Sequence, residues 1–163
     1  MSLNYGKFFG GIDIRKMKYG NTNMTYEQLV RKEAHRFKDI LRKYIVAYYN
    51  SYSPVVYKRG KFGGNLLGSI EVDDIVKISS NGTMLYCDVL VNENAIHTSI
   101  VTKEDNNIFF MFNDGWQVNK DVWFKDIPRF GYFEGVGYIE QAVKEFEDTD
   151  KYGFTVIINR PNI

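Results

Sequence analysis

Three groupings of side chains in this sequence are of types that do chemistry: a cysteine with a histidine, a set of carboxylates and a line of cations. Cys87 and His97 would supply a nucleophile and a base, since a thiolate is useful at neutral pH only beside an imidazole and in a positive field. Cys87 is expected mid-strand, flanked by Tyr86 and Val89, however, where cysteine ordinarily serves as a small buried apolar group. His35 lies among Arg31, Lys32, Arg36 and Lys38, none of which can orient an imidazole as a carboxylate would, and reads as a helix-surface residue. Glu71, Asp73 and Asp74, with Asp88 across a hairpin, are the right ligands for a divalent cation or a nuclease centre. Strand alternation places Asp73 and Asp74 on opposite faces, which favours a solvated sheet edge over a shared site. Gly60, Gly63 and Gly64 lack the lysine and hydroxyl of a phosphate-binding loop and precede a strand, not a helix. The sequence thus predicts no catalytic residue, no metal site and no cofactor.

The cations are the remaining candidate. Arg31, Lys32, Arg36, Arg42, Lys43, Lys58, Arg59 and Lys61 form the predicted interaction surface. Basic helices can grip a phosphate backbone or an acidic protein partner, and no recognised nucleic-acid motif accompanies this set.

The elements that position these groups follow from local signals. Residues 1–24 are rich in Gly, Asn, Lys and aromatics without a sustained period, which predicts an N-terminal arm, extended or ordered by a partner. Residues 25–163 then form a single domain. Thr25 as N-cap, Gln28 at the capping-box position and Met24 with Leu29 as a staple start a helix. Tyr26, Leu29, Val30, Ala34, Phe37, Ile40, Leu41, Tyr44, Ile45 and Tyr48 recur along it at helical spacing to about Tyr49, and Pro54 lies beyond its end. Two antiparallel strands are expected over residues 66–78 and 84–91, joined at Asn81 and Gly82. A second hairpin is expected from Ala95–Thr102 and Asn107–Phe112, then a turn at Asp114 and Gly115 and a partly extended aromatic stretch from Trp116 to Phe124. Ile127 and Pro128 break that pattern, and Arg129–Gly137 reads as a loop. A short helix over about Tyr138–Glu147 puts Ile139, Ala142, Val143 and Phe146 on one face, and Phe154–Ile158 reads as a last strand. The predicted fold is α+β, with the long amphipathic N-terminal helix packed on an antiparallel sheet and a short C-terminal helix closing one side.

Composition bounds the class of function. A chain of 163 residues with 44% apolar and 16% aromatic content can build one real core. One cysteine excludes an internal disulfide framework and any zinc site built on paired cysteines, and points to a reducing compartment. No run approaches the roughly 18 apolar residues of a membrane span, and no apolar leader opens the chain, so a soluble cytoplasmic protein without a membrane partner is expected. The net charge of +1 conceals an asymmetry: residues 1–62 hold 13 Lys or Arg against 4 Asp or Glu, and residues 63–163 hold 8 against 16. Such a dipolar chain can attract copies of itself head to tail or meet an acidic partner with one end and a basic one with the other, and equally the basic helix can simply be balanced by the acidic sheet it packs on.

The order of basic helix, Pro54, glycine pair, then Gly64, Leu66, Ser69 and Ile70 before strands resembles the tail-completion, or head–tail joining, family of tailed bacteriophages and their Gly-x-Leu-x-x-Ser-Ile segment. Gly63 stands where that family commonly has threonine. Phe112 to Gly115 resembles its apolar-Glu-Phe-Gly turn, with Asp114 in place of the aromatic residue. The stretch from Phe133 to Phe146 resembles its C-terminal helix without the prolines. The resemblance spans roughly residues 25–150 and implies a non-enzymatic structural protein of a phage or prophage virion. Such a protein would form a ring of about six copies at the head–tail junction, after assembly in the host cytoplasm, and bind connector and tail-tube or terminator proteins. The alternative is a nucleic-acid-binding accessory protein of such an element, with nucleic acid otherwise a secondary partner.

Overall fold

The computed structural model describes residues 13–51, 67–82, 84–91, 96–98, 105–118 and 131–160. The architecture is α+β, with a long N-terminal helix, short antiparallel ladders and a shorter C-terminal helix. The chain divides into two compact units, Met1–Asp39 with Ile70–Leu90 and Ile40–Ser69 with Val91–Ile163; the long helix contributes to both.

In the first unit, α1 (Tyr26–Ser51) starts at the predicted cap. The Thr25 N–H donates to Gln28 Oε1 at 2.9 Å and the Gln28 N–H donates to Thr25 Oγ1 at 3.2 Å, so two donors that no helical carbonyl can reach are satisfied. Residues 13–24, expected within the arm, carry local structure. Asp13 caps a single 3-10 turn, Ile14–Lys16, and grips the Arg15 guanidinium, Lys18 bridges to Thr25, and Arg15 Nη1 donates to the Val76 carbonyl at 3.3 Å. The rest of the arm, residues 1–12, lies outside the described residues. Leu29, Val30 and Phe37 are buried, as are Ile70 and Val76. Burying side chains of this size contributes about 2 kcal/mol each, against well under about 1 kcal/mol for an exposed ion pair, so the apolar stripe holds the unit.

The Asn81–Gly82 turn is present. β2 (Lys77–Ile78) and β3 (Leu85–Tyr86) pair antiparallel, with Ile78 opposite Leu85, and the Gly82 N–H donates to the Ser79 carbonyl at 2.8 Å. The two long strands expected there are broken, however. β1 (Ile70–Val72) pairs with β4 (Val89–Val91), and Asp73–Val76 and Cys87–Asp88 lie outside both ladders. The cause is local: Asp73 Oδ1 accepts the Ile75 N–H at 3.2 Å, a side-chain turn that competes with strand pairing.

In the second unit, β5 (Ile96–Thr98) and β6 (Asp105–Asn107) pair antiparallel, with His97 opposite Asn106. The expected strand Asn107–Phe112 is corrected here, because Ile108–Asp114 is a helix, α2. The Asn107 side chain accepts the Phe109 N–H at 3.0 Å, and this cap decides an apolar run that reads equally as strand or buried helix. Gly115, at φ 92°, ends α2 and opens β7 (Gly115–Val118). β7 pairs antiparallel with β8 (Gly131–Glu134), so the expected Arg129–Gly137 loop contains a strand. Trp116 lies opposite Phe133, 17 residues along the chain, and no local signal announces that pairing. α3 (Tyr138–Asp148) matches its predicted bounds to one residue and buries Tyr138, Ile139, Ala142 and Phe146. Its Tyr138 ring packs edge-on against Phe109 at 5.4 Å between centroids. The predicted last strand, Phe154–Ile158, forms no ladder.

Candidate functional site

The carboxylates singled out in the sequence are drawn into two separate ion-pair clusters. Lys77 Nζ lies 2.8 Å from Asp73 Oδ2 and 2.6 Å from Asp88 Oδ2. Its hydrogen bond to Asp73 holds that carboxyl below the usual carboxylate range, and the bonds to Asp73 and Asp88 hold the ammonium well above its own. The lysine therefore supplies the positive charge that a divalent cation would bring between these two groups. Among the described residues no group of three or more His, Cys, Asp or Glu is placed to hold a metal ion. Asp74 turns to α1, where its Oδ1 lies 3.0 Å from His35 Nε2 and its carbonyl accepts Arg31 Nε at 3.0 Å. His35 thus has the carboxylate orienter that its helix neighbours lack. The partner comes from 39 residues along the chain, beyond the reach of any spacing rule. Glu71 is exposed and Ser69 and Ile70, at the head of β1, are buried.

Cys87 lies between β3 and β4, not within a strand. Its S–H donates to the Asp73 carbonyl at 2.8 Å. Burial pushes the thiol up, and the negative charges of Asp73, Asp74 and Asp88 push it further. That field is the reverse of the one that activates a nucleophilic cysteine. His97, the base considered with it, belongs to β5.

Three of the five described cations of the predicted surface are ion-paired in place. Arg31 pairs with Glu27 at 2.9 Å as well as with Asp74, and Arg36 pairs with the buried Glu33. Lys43 pairs with Glu145, which also accepts the Tyr44 hydroxyl at 2.8 Å. The hydrogen bond from Lys43 is the main reason that the Glu145 carboxyl lies below its ordinary range. Lys32 and Arg42 are exposed and have no acidic partner among the described residues. Lys58, Arg59 and Lys61 lie outside the described residues, as do Pro54, Gly64 and Leu66. A phosphate backbone would have to displace carboxylates before Arg31, Arg36 or Lys43 could grip it, whereas Lys32 and Arg42 are open to it.

The second unit contains a polar centre that the sequence reading missed. Asn113 is buried; its Oδ1 accepts the Ile139 N–H at 2.8 Å, and its Nδ2 donates to Asp114 Oδ1 at 2.8 Å and Glu140 Oε2 at 2.9 Å. One side chain thus ties the end of α2 to the first turn of α3 and satisfies an orphan helix donor. Arg160 adds bonds to Asp114 at 2.8 Å and Glu140 at 2.6 Å. Gly135 permits the close approach, since a Cβ there would meet the Asn113 carbonyl oxygen at 2.1 Å. The stretch Phe133–Phe146 that resembles a phage helix begins as strand: Phe133 and Glu134 belong to β8, and α3 starts at Tyr138. No family model matches the chain, and no curated protein or solved structure matches it.

Proposed function

We propose that this chain is a non-enzymatic structural protein of the phage neck that completes the tail and joins it to the head connector. The observation that carries the reading is the Gly64, Leu66, Ser69, Ile70 segment, placed between a long amphipathic helix and antiparallel strands. Ser69 and Ile70, the described half of that segment, are buried, as residues that set the path from helix to strand need to be. The neutralised carboxylates and the protonated Cys87 thiol suit a scaffold whose polar groups are spent on structure. The partners are then copies of itself, in a closed ring, with connector and tail-tube or terminator proteins on its faces. Disrupting the gene in its parent genetic element and imaging the lysate by electron microscopy tests this. Full heads and finished tails lying apart are the expected result, and normal infectious particles would overturn it.

A further inference from the structure

We infer that Asn81 and Gly82 form a modification site, a pair that cyclises to a succinimide and leaves aspartate or isoaspartate at position 81, and that Ser79 holds it closed while the β2–β3 hairpin is intact. The chemistry is set by the two residues. The side-chain amide carbon of an asparagine is an electrophile, and the backbone nitrogen of the next residue can close a five-membered ring on it. Gly82 carries no Cβ to obstruct that attack. Once the Gly82 nitrogen has given its proton to water, its electron pair bonds to Asn81 Cγ. The bond from Cγ to the side-chain nitrogen then breaks, and that nitrogen takes up a proton and leaves as ammonia. Water adds to either carbonyl of the ring and opens it, to aspartate at one and to isoaspartate at the other. Water is the only reactant consumed, and Asn81 is exposed to it.

In the folded chain one residue binds both reacting groups. The Ser79 hydroxyl donates to Asn81 Oδ1 at 2.7 Å, and the Ser79 carbonyl accepts the Gly82 N–H at 2.8 Å. The proton that has to leave Gly82 is therefore held. The Asn81 side chain is tied to the residue two before it, whereas its attacker is the residue after it. Ser79 is itself fixed from the opposite strand side: its Oγ accepts the Met84 N–H at 3.0 Å, and its own N–H donates to the Met84 carbonyl at 2.9 Å. Gly82 completes the turn at φ 73°, in the left-handed region that glycine adopts without strain.

The guard is only as firm as the hairpin. β2 and β3 have two residues each, and a ladder so short opens locally well before the rest of the unit unfolds. Each opening releases the bonds from Ser79 and frees the pair to close its ring. The isoaspartate product carries an extra carbon in the main chain, so Gly82 no longer meets the Ser79 carbonyl and a transient opening becomes a permanent one. The site does not depend on the neck reading.

Incubating the full chain in neutral buffer and following the peptide that contains position 81 by liquid chromatography and mass spectrometry tests this. Each conversion exchanges an amide for an acid, and the isoaspartyl peptide elutes apart from the aspartyl one. The folded chain should convert slowly, and the same chain unfolded in urea at least about tenfold faster. Ser79→Ala keeps the backbone bonds of the turn but removes the hydroxyl, and should speed conversion of the folded chain about fivefold, the factor that one ordinary hydrogen bond is worth. Ser79→Thr restores the hydroxyl and should return the rate to that of the parent. A folded parent that converts as fast as the unfolded chain, an unfolded chain without conversion at position 81, or a Ser79→Ala variant that converts at the parent rate would overturn the inference.

Discussion

Asp73 shows how much one side chain can settle. Its carboxylate turns the backbone at Ile75 and binds Lys77, its N–H donates to the Asp88 carbonyl at 2.9 Å, and its own carbonyl takes the Cys87 S–H. Two outcomes follow at this scale. Cys87 should react slowly with iodoacetamide at neutral pH, with the rate rising only above the ordinary thiol value of 9.0, because burial and three carboxylates hold the thiol protonated. Asp73→Asn should bring that rise to lower pH, which a pH–rate profile of alkylation would show. The acid limb carries the opposite sign. The folded state lowers the Asp73 value below its ordinary 3.8, so its pairing stabilises fully above that pH and is lost as pH falls through the lower folded value. Thermal melts of Asp73→Asn should therefore show a lower melting temperature than the parent chain at neutral pH, with the difference closing in that acid window.

At the scale of elements, what was legible in the sequence is what is encoded within a few residues. The Thr25–Gln28 capping box, the Asn81–Gly82 turn and the period of α3 are all local, and each lies where the sequence puts it. The failures are decided at a distance or by a competing side chain. Asn107 converts an apolar run into α2, β8 finds its partner in β7, and Phe154–Ile158 has strand composition but no ladder partner among the described residues. The candidate site divides the same way: the residue types of Asp73, Asp74, Asp88 and His35 were visible, whereas their assignment to Lys77 and to α1 was not. Two variants rank these contributions. Thr25→Ala removes one cap acceptor and should cost about 1 kcal/mol in chemical denaturation. Gly135→Ala should cost more, at least about 3 kcal/mol, because the atoms its Cβ would strike, the Asn113 carbonyl oxygen at 2.1 Å, Asp114 C at 2.4 Å and Gly115 N at 2.6 Å, are backbone atoms that no rotamer change can clear. The same titration on both proteins checks the order.

For the whole molecule, the charge asymmetry of the sequence is offset within the first unit among the described residues. The cations crowd the first 62 residues and the acids the rest, which on paper makes a dipole able to draw copies together. The fold returns part of the acidic half onto α1: among the described residues of the first unit, eight Lys or Arg meet eight Asp or Glu. Arg31 with Asp74 is such a pair, and Lys43 with Glu145 is its counterpart in the second unit. Charges satisfied within a unit contribute little attraction between copies, so any self-association is expected to rest mainly on contacts that salt does not screen. The expected outcome is an assembly whose strength changes little as sodium chloride rises from about 0.05 to about 0.5 M, a range over which the screening length falls severalfold. Sedimentation equilibrium at the two salt concentrations measures this. An assembly that dissociated at the higher concentration would mean that the exposed cations without an acidic partner among the described residues, Lys32 and Arg42, make the contact, and would return it to the head-to-tail attraction that the sequence suggests.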